Sequence, residues 1–402
     1  MRSSLPAAAT GFAGPPTVVT SAPGRVNLLG EHTDYNLGFV LPTAIPQQTT
    51  VELWLHSRAQ ADVDPSLVRV VSAAIDEGQV HSYRLGEEAP RHDFLDYVQG
   101  VTALLRSQGH HPPGFDLRIQ SAVPLGSGLS SSAALLVALF RALARALPLA
   151  LSDREIARLS QRVENEFVGA PVGILDPMAC GLCQPGTALF LDTADLHYET
   201  LPLPTEIELL VIHSGIRHSH GRADGEAGGP PVADYRVRRG ECEQAAQLLG
   251  VATLRELPDT PASWARVASL PVPLPSRVRH VLSENARVLA AVALLRKTAL
   301  SPSDLDELAG LFAASHRSQR EDYAVSLPAI DTLVEIAGTD ADVLPGGARL
   351  TGGGFGGSIV ALARAGRGQA AGARILSAYQ QATGHRATLL VPQAEEERGD
   401  RS

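Results

Sequence analysis

The stretch Pro124-Leu125-Gly126-Ser127-Gly128-Leu129-Ser130-Ser131-Ser132-Ala133-Ala134 constrains this chain more than any other. Before it, Phe115-Asp116-Leu117-Arg118-Ile119-Gln120 alternates apolar and polar with the two-residue period of a half-buried strand. After it, Ala133 to Ala146 is a run of strong helix formers, so a loop here opens a helix. Gly126 and Gly128 allow a backbone path that side chains would block, and Ser130, Ser131 and Ser132 offer hydroxyls and N–H groups. The first amides of the helix add the positive end of its dipole, so the loop can cradle an anion such as phosphate. A serine-rich helix start is equally a good N-cap, and from this stretch alone both readings stand.

Two other nucleotide loops can be set aside. A Walker A loop needs a lysine after its last glycine, but the chain's one lysine is Lys297, inside the helical run Leu294-Leu295-Arg296-Lys297. The dinucleotide fingerprint occurs as letters at Gly352-Gly353-Gly354-Phe355-Gly356-Gly357. It is followed by Ser358-Ile359-Val360-Ala361-Leu362, which reads as a strand where that fingerprint requires a helix.

With 402 residues, 44% of them hydrophobic and 19% charged, the chain can form two domains with a core each. A formal net charge of −9 argues against nucleic acid or an anionic membrane as partner. No apolar run is long enough to cross a bilayer and residues 1–20 lack the apolar core of a signal peptide, so a cytoplasmic location is expected. Cys180, Cys183 and Cys242 make no disulfide framework; Cys180 and Cys183 form a lone C-x-x-C that reads as buried thiols.

Residues 1–17 read as a flexible tail. Val18 to Gly30 reads as a strand running into the polar turn Glu31-His32-Thr33-Asp34-Tyr35-Asn36, which is either a solvated loop or a site for a polyol, since carboxylates accept hydrogen bonds from sugar hydroxyls. Strands are expected at 49–56, 67–72 and 80–85, and an amphipathic helix at 93–105. Ser152-Asp153-Arg154-Glu155 is a capping box, and apolar residues at 156, 159, 163 and 167 predict one helix carrying Glu164 and Glu166 to about Gly169. Asp176, alone among apolar neighbours in Gly173-Ile174-Leu175-Asp176-Pro177-Met178-Ala179, is a helix cap or a charge-balanced functional group. Strands at 187–191 and 208–213 flank a domain boundary expected near Pro204. Helices are expected at 235–249, 277–295, 303–317, 330–337 and 369–383, with strands at 358–364 and 387–391. Gly and Pro between Ser214 and Ala233 mark a loop holding His218 and His220.

Three motifs in this order resemble the galactokinase family. Gly24-Arg25-Val26-Asn27-Leu28-Leu29-Gly30-Glu31-His32-Thr33-Asp34-Tyr35-Asn36 is similar to its sugar signature. Pro124 to Ala134 is similar to the phosphate loop of the wider GHMP small-molecule kinases, and Arg349-Leu350-Thr351-Gly352-Gly353-Gly354-Phe355-Gly356-Gly357 to their C-terminal glycine motif. The likeness implies an α+β, two-domain GHMP kinase fold. Residues 18–204 would form an N-terminal domain with a ribosomal-protein-like α/β sandwich, 205–392 a GHMP C-terminal domain, and 393–402 a flexible tail.

It implies an ATP-dependent kinase that phosphorylates galactose at the anomeric hydroxyl, with Mg2+ as cofactor. Asp176 falls on the family's catalytic aspartate and Arg25 on the arginine beside it. Glu31, His32, Thr33, Asp34 and Tyr235 fall on the sugar site, Gly126, Ser127, Gly128, Leu129, Ser130, Ser131 and Ser132 on the phosphate site, Ser72 near an adenine contact, and Ser132 with Glu164 on the metal ligands. The sequence departs from the family at Pro177, where glutamine is usual, at Arg236, where asparagine is usual, and in a longer stretch between His218 and Tyr235. The alternatives are another sugar 1-kinase of the superfamily, for arabinose, galacturonate or an N-acetylated galactose, and a sensor that binds sugar and nucleotide without turnover.

Overall fold

The computed structural model describes residues 12, 14–56, 64–73, 75, 78–216 and 235–392. The strands in chain order are β1 (Val18–Asn27), β2 (Phe39–Val40), β3 (Pro42–Leu55), β4 (Leu67–Ser72), β5 (Val80–Arg84) and β6 (Phe115–Ser121). They continue with β7 (Thr187–Asp192), β8 (Tyr198–Pro202), β9 (Ile207–His213), β10 (Val343–Thr351), β11 (Ser358–Arg364) and β12 (Thr388–Val391). The helices are α1 (Leu95–Ser107), α2 (Ser131–Ala146), α3 (Asp153–Arg162), α4 (Leu175–Leu182) and α5 (Tyr235–Leu249). After them come α6 (Pro261–Ala268), α7 (Leu274–Leu295), α8 (Pro302–Glu321), α9 (Pro328–Thr339) and α10 (Gly368–Thr383). His218 and His220 of the expected loop and the tail from 393 lie outside the described residues.

Two compact units share these elements. The first takes the described residues of Met1–Arg25, Ile45–Leu125 and Ser130–Leu182, and the second those of Val26–Ala44, Gly126–Leu129 and Cys183–Ser402.

In the first unit β3 pairs antiparallel with β6, β6 parallel with β4, and β4 antiparallel with β5. Alternate residues Val51, Leu53, Val68, Val70, Leu117 and Ile119 turn to one face, where Val98, Val101 and Leu105 of α1 and Ala134, Val137 and Ala138 of α2 meet them. Each fully buried Val or Leu in such a layer contributes roughly 1.5–3 kcal/mol. Helix α2 is buried on most of its sides, as its Ala and Leu content allows, and serves as the post to which the neighbouring elements are fastened. Thr20 of β1 donates to Ala138 O at 2.7 Å. Arg141 donates to Ser21 O of β1 at 3.1 Å, to Gly181 O of α4 at 2.6 Å and to Asp153 Oδ1 of α3 at 2.8 Å.

The capping box forms: Ser152 Oγ accepts from Glu155 N, and Glu155 Oε2 accepts from Ser152 N at 2.8 Å. The single helix expected from there to Gly169 does not. Helix α3 ends at Arg162, and Val163–Val168 is a π-helical turn closed by Gly169 in the left-handed region, φ +79°. Gly100 of α1 explains how this wide turn is accommodated. A Cβ at Gly100 would lie 2.6 Å from Val163 Cγ1 and 3.1 Å from Phe167 Cβ, so only a glycine lets α1 lie this close.

In the second unit an antiparallel sheet runs β10-β11-β9-β12, with β11 and β9 in register from Ser358↔His213 to Arg364↔Ile207. Leu210, Ile212, Leu350, Ile359 and Ala361 of this sheet share a core with Val278 and Val281 of α7, Leu333 and Ala337 of α9 and Ile375 of α10. Ser301 caps α8 with a second capping box to Asp304, and Pro302 takes the first helical position, where no N–H is needed. In the same unit β7 pairs antiparallel with β2 and β8.

Candidate active site

In the first unit β1 carries Arg25, which is almost wholly buried, and the first turn of α4 carries Asp176. Arg25 Nε and Nη2 donate to the same carboxylate oxygen, Oδ1, at 2.8 and 2.5 Å. The Asp176 side chain is 31% exposed, and its Oδ2 takes neither of these bonds. Pro177 fits because the third position of a helix has no intrahelical N–H bond to lose.

Ser130 stands at the N-cap of α2 with φ 62° and ψ 44°, and its side chain makes no capping bond. Its hydroxyl is buried and finds no partner among the described residues. A plain N-cap would spend that oxygen on the first-turn amides; their lack of a side-chain cap favours the anion cradle.

The π turn places Glu164 in the same neighbourhood, fully buried. Burial pushes its carboxyl up to about 7, the Ser132 hydroxyl that hydrogen-bonds it acts the other way, Asp176 adds to the rise and Arg25 opposes it. The structure thus brings Arg25, Ser132, Glu164 and Asp176 into one electrostatic group. Ser72 ends β4 and is buried.

In the second unit the glycine run meets the first half of the phosphate loop. Ser358 Oγ donates to Ser127 O at 2.8 Å, and a Cβ on Gly352, whose φ is +90°, would lie 3.1 Å from Gly128 O. Gly352 N also donates to Glu31 Oε1 at 2.8 Å, and Thr351 Oγ1 lies 3.1 Å from the same oxygen. The charge of this buried carboxylate is balanced by Arg349, 3.4 Å away and itself fully buried, which also donates to Asn27 O and Leu28 O at 2.9 and 2.6 Å.

Thr33, expected in the sugar site, is fully buried, with its hydroxyl 2.9 Å from Gly30 O and 2.7 Å from Phe39 O. It shapes the turn from within. Asp34 opens the short 3-10 turn Asp34–Asn36 and is half-buried. His32 is buried, and burial, His280 and Arg238 pull its pKa down to about 3, so the ring is neutral at ordinary pH. Tyr235 begins α5, and its side chain lies outside the described residues.

Sequence reasoning missed the groups behind the turn. Glu284 of α7, fully buried, accepts from Gly30 N at 2.9 Å, Ser315 Oγ at 2.8 Å and Arg287 Nε at 2.7 Å. Burial works against its charge, but Arg287, Arg349 and His280 together with the Gly30 amide hold its pKa at about 2. Its neighbour Asn285 accepts from Phe39 N at 2.8 Å. Two adjacent polar residues in an amphipathic helix carry no sign of a partner some 250 positions earlier. All three cysteines are free thiols; Cys180 Sγ lies 3.9 Å from Ser130 O and Cys183 Sγ 3.8 Å from Pro42 O.

Comparison with known proteins agrees with this arrangement. The model for the GHMP kinases N terminal domain matches residues 96–184, the galactokinase galactose-binding signature residues 9–53, and the GHMP kinases C terminal model residues 290–382. Over 357 residues the chain is 41% identical to a galactokinase of Streptomyces coelicolor, covering 87% of this chain and 85% of that protein. The chain belongs to the galactokinase family.

A second galactokinase, from Chloroflexus aggregans, is 39% identical over 389 residues, covering 94% and 92% of the two chains. The crystal structure of Lactococcus lactis galactokinase complexed with galactose matches with a TM-score of 0.80 at 30% identity and covers 93% of each chain. A mevalonate kinase structure matches with a TM-score of 0.62 at 17% identity, which marks a shared fold. The expected α+β GHMP kinase fold is therefore present, and the strand Ser358–Arg364 after the glycine run agrees with setting aside dinucleotide binding.

Proposed function

We propose that this chain transfers the γ-phosphate of ATP to the anomeric hydroxyl of D-galactose, giving galactose 1-phosphate and ADP. The observation that carries the reading is the Arg25–Asp176 pair, intact in a member of the galactokinase family. A sensor that only binds sugar and nucleotide has no use for a buried arginine fixed on a carboxylate with one open oxygen.

Phosphoryl transfer needs alignment and charge neutralisation more than covalent help. Asp176 takes the anomeric proton on Oδ2. Arg25, on Oδ1, holds the carboxylate in place and offsets the negative charge that grows on the sugar oxygen. That oxygen bonds to the γ-phosphorus as the bond to the bridging oxygen breaks and ADP leaves, and Asp176 then returns the proton to solvent. Glu31, His32, Asp34 and Tyr235 are assigned to the sugar hydroxyls, with Thr33 holding their turn. The loop Gly126, Ser127, Gly128, Leu129, Ser130, Ser131 and Ser132 is assigned to the phosphates and Ser72 to the adenine side.

Ser132 and Glu164 supply a hydroxyl and a carboxylate oxygen, a hard donor set that suits Mg2+ with water and phosphate oxygens completing its shell. A carboxyl lifted to about 7 by burial is what such a pair presents while no cation compensates it. Mg2+ there would neutralise charge on the phosphates. With ATP as co-substrate, the location that fits this reading is the cytoplasm. Among the described residues no helix is long and apolar enough to cross a membrane.

Incubation with ATP and galactose, followed by phosphorus NMR, tests the reading. A new sugar 1-phosphate resonance is expected with one ADP formed per product; binding of both substrates without turnover would favour the sensor.

A further inference from the structure

In the second unit the sugar-signature turn is held from outside by side chains that the reaction above does not use. Strand β2 pairs with β7 through Phe39↔Asp192, which brings the residue after β7, Thr193, against the turn. Thr193 is almost wholly buried. Its Oγ1 donates to Gly38 O at 2.8 Å and to Asp34 O at 3.2 Å, and its N donates to Gly38 O at 3.0 Å. Arg255, in the short 3-10 turn Leu254–Glu256, donates to Leu37 O at 2.7 Å and forks onto both carboxylate oxygens of Asp192. Its guanidinium also lies over the Phe39 ring, 4.2 Å from the centroid.

The turn itself is too short to fix its own shape. Asp34–Asn36 is a single 3-10 turn, closed by Asn36 N on Thr33 O at 3.0 Å and Leu37 N on Asp34 O at 3.1 Å, and one such turn gains too little to order itself. Leu37 follows in the left-handed region, φ 56° and ψ 30°, which costs a residue with a Cβ about 1–2 kcal/mol. Conformations of that kind persist where the surroundings impose them. Here Thr193 and Arg255 fix the carbonyls of Asp34, Leu37 and Gly38, and the direction in which the Asp34 side chain leaves the backbone follows from that path.

We infer that Thr193 and Arg255 are positioning residues that aim Asp34 at the sugar and so set the selectivity for galactose. The inference rests on the assignment of Asp34 to the sugar site. A carboxylate that must tell the direction of one hydroxyl has to be placed to within about 0.5 Å, which calls for support from packed neighbours. Thr193 is the cleaner handle of the two. When its hydroxyl is removed both carbonyls keep a backbone donor, Leu37 N for Asp34 O and Thr193 N for Gly38 O, so the tie is lost without orphaning either.

The test is steady-state kinetics of Thr193→Val, Thr193→Ser, Asp34→Ala and the double variant Thr193→Val with Asp34→Ala. Thr193→Val should raise the galactose KM by about threefold to tenfold, the scale of one hydrogen bond, and narrow the galactose-to-glucose ratio of kcat/KM while the ATP KM stays put. Thr193→Ser keeps the hydroxyl and should return both values toward the wild type. On the Asp34→Ala background Thr193→Val should add nothing, because it acts through Asp34. A merely structural role would lower stability and leave the sugar ratio unmoved. Thr193→Ala keeps the inference testable if Thr193→Val folds poorly. An unchanged galactose KM and sugar ratio in Thr193→Val, or effects that multiply with those of Asp34→Ala, overturn the inference. Unchanged galactose kinetics in Asp34→Ala alone overturn it at its premise and place the failure in the sugar assignment of Asp34.

Discussion

Arg25 puts both Nε and Nη2 on a single oxygen of Asp176, at 2.8 and 2.5 Å, and the carboxylate's second oxygen takes neither bond. An arginine that served only to neutralise an aspartate would gain more from a bidentate fork over both oxygens. The one-sided contact suits a base that must keep one oxygen for a substrate proton.

Asp176→Asn therefore keeps the fold and ATP binding and loses about 10² to 10⁴ in kcat, the usual size of a general-base contribution. Steady-state kinetics with a separate nucleotide titration measure both. Turnover near the wild-type value in the asparagine variant would return Asp176 to a structural role.

Glu164 gives a prediction with opposite signs for stability and function. Its folded pKa, about 7, lies above the unfolded value of 4.5, so the metal-free protein binds an extra proton between those limits. Stability is fully present below the unfolded value and falls as pH rises through 7, by at most roughly 3 kcal/mol. Glu164→Gln removes that slope, so in chelator its melting temperature at pH 7.5 should exceed the wild type's while its Mg2+ requirement rises. Parallel melting curves from pH 4.5 to 8 in the two proteins would contradict the assignment.

Gly100→Ala tests the seat of the π turn. Alanine in a helix interior is favoured over glycine by about 1 kcal/mol. Here its Cβ would meet Val163 Cγ1 at 2.6 Å and Phe167 at 3.1 Å, overpacking that costs about 1–3 kcal/mol. Urea unfolding should show a net loss together with a weaker Mg2+ dependence; a more stable variant with unchanged metal response would mean the turn tolerates displacement.

These sites differ in how far the sequence revealed them. The capping box at Ser152 and the strand at Leu67–Ser72 were legible because their signals are local: a hydrogen-bonding pair three residues apart, and a short apolar run bounded by polar residues. Tyr235–Leu249 was read to its end residues for the same reason. The π turn was not legible, because residues 156, 159, 163 and 167 keep an α-helical period and the glycine that makes room for the turn, Gly100, stands on another element. Helix α4 is eight residues long and holds a proline, too short for a period to emerge. Strand β10 was hidden by Pro345, Gly346 and Gly347 in its first half, and the ladder register shifts there. At the site, residue type left Asp176 open between a helix cap and a charge-balanced group, and the partners that hold Glu31, Arg349 and Thr351, stand more than 300 positions away and only folding brings them near.

Asp34 carries the prediction on specificity. Galactose and glucose differ in the direction of one hydroxyl, and a site built to bond that hydroxyl can reject the other sugar by about 10⁴ to 10⁵, since buried polar groups are left unpaired. Asp34→Ala should raise the galactose KM and narrow the gap between the sugars together. A higher KM with the gap intact would put the discrimination elsewhere.

The most direct measurement is kcat/KM of the wild-type protein for galactose, glucose and N-acetylgalactosamine under saturating ATP and Mg2+. Galactose should lead, with glucose lower by orders of magnitude. A value for N-acetylgalactosamine above that for galactose, or no turnover of any of the three, would contradict the account.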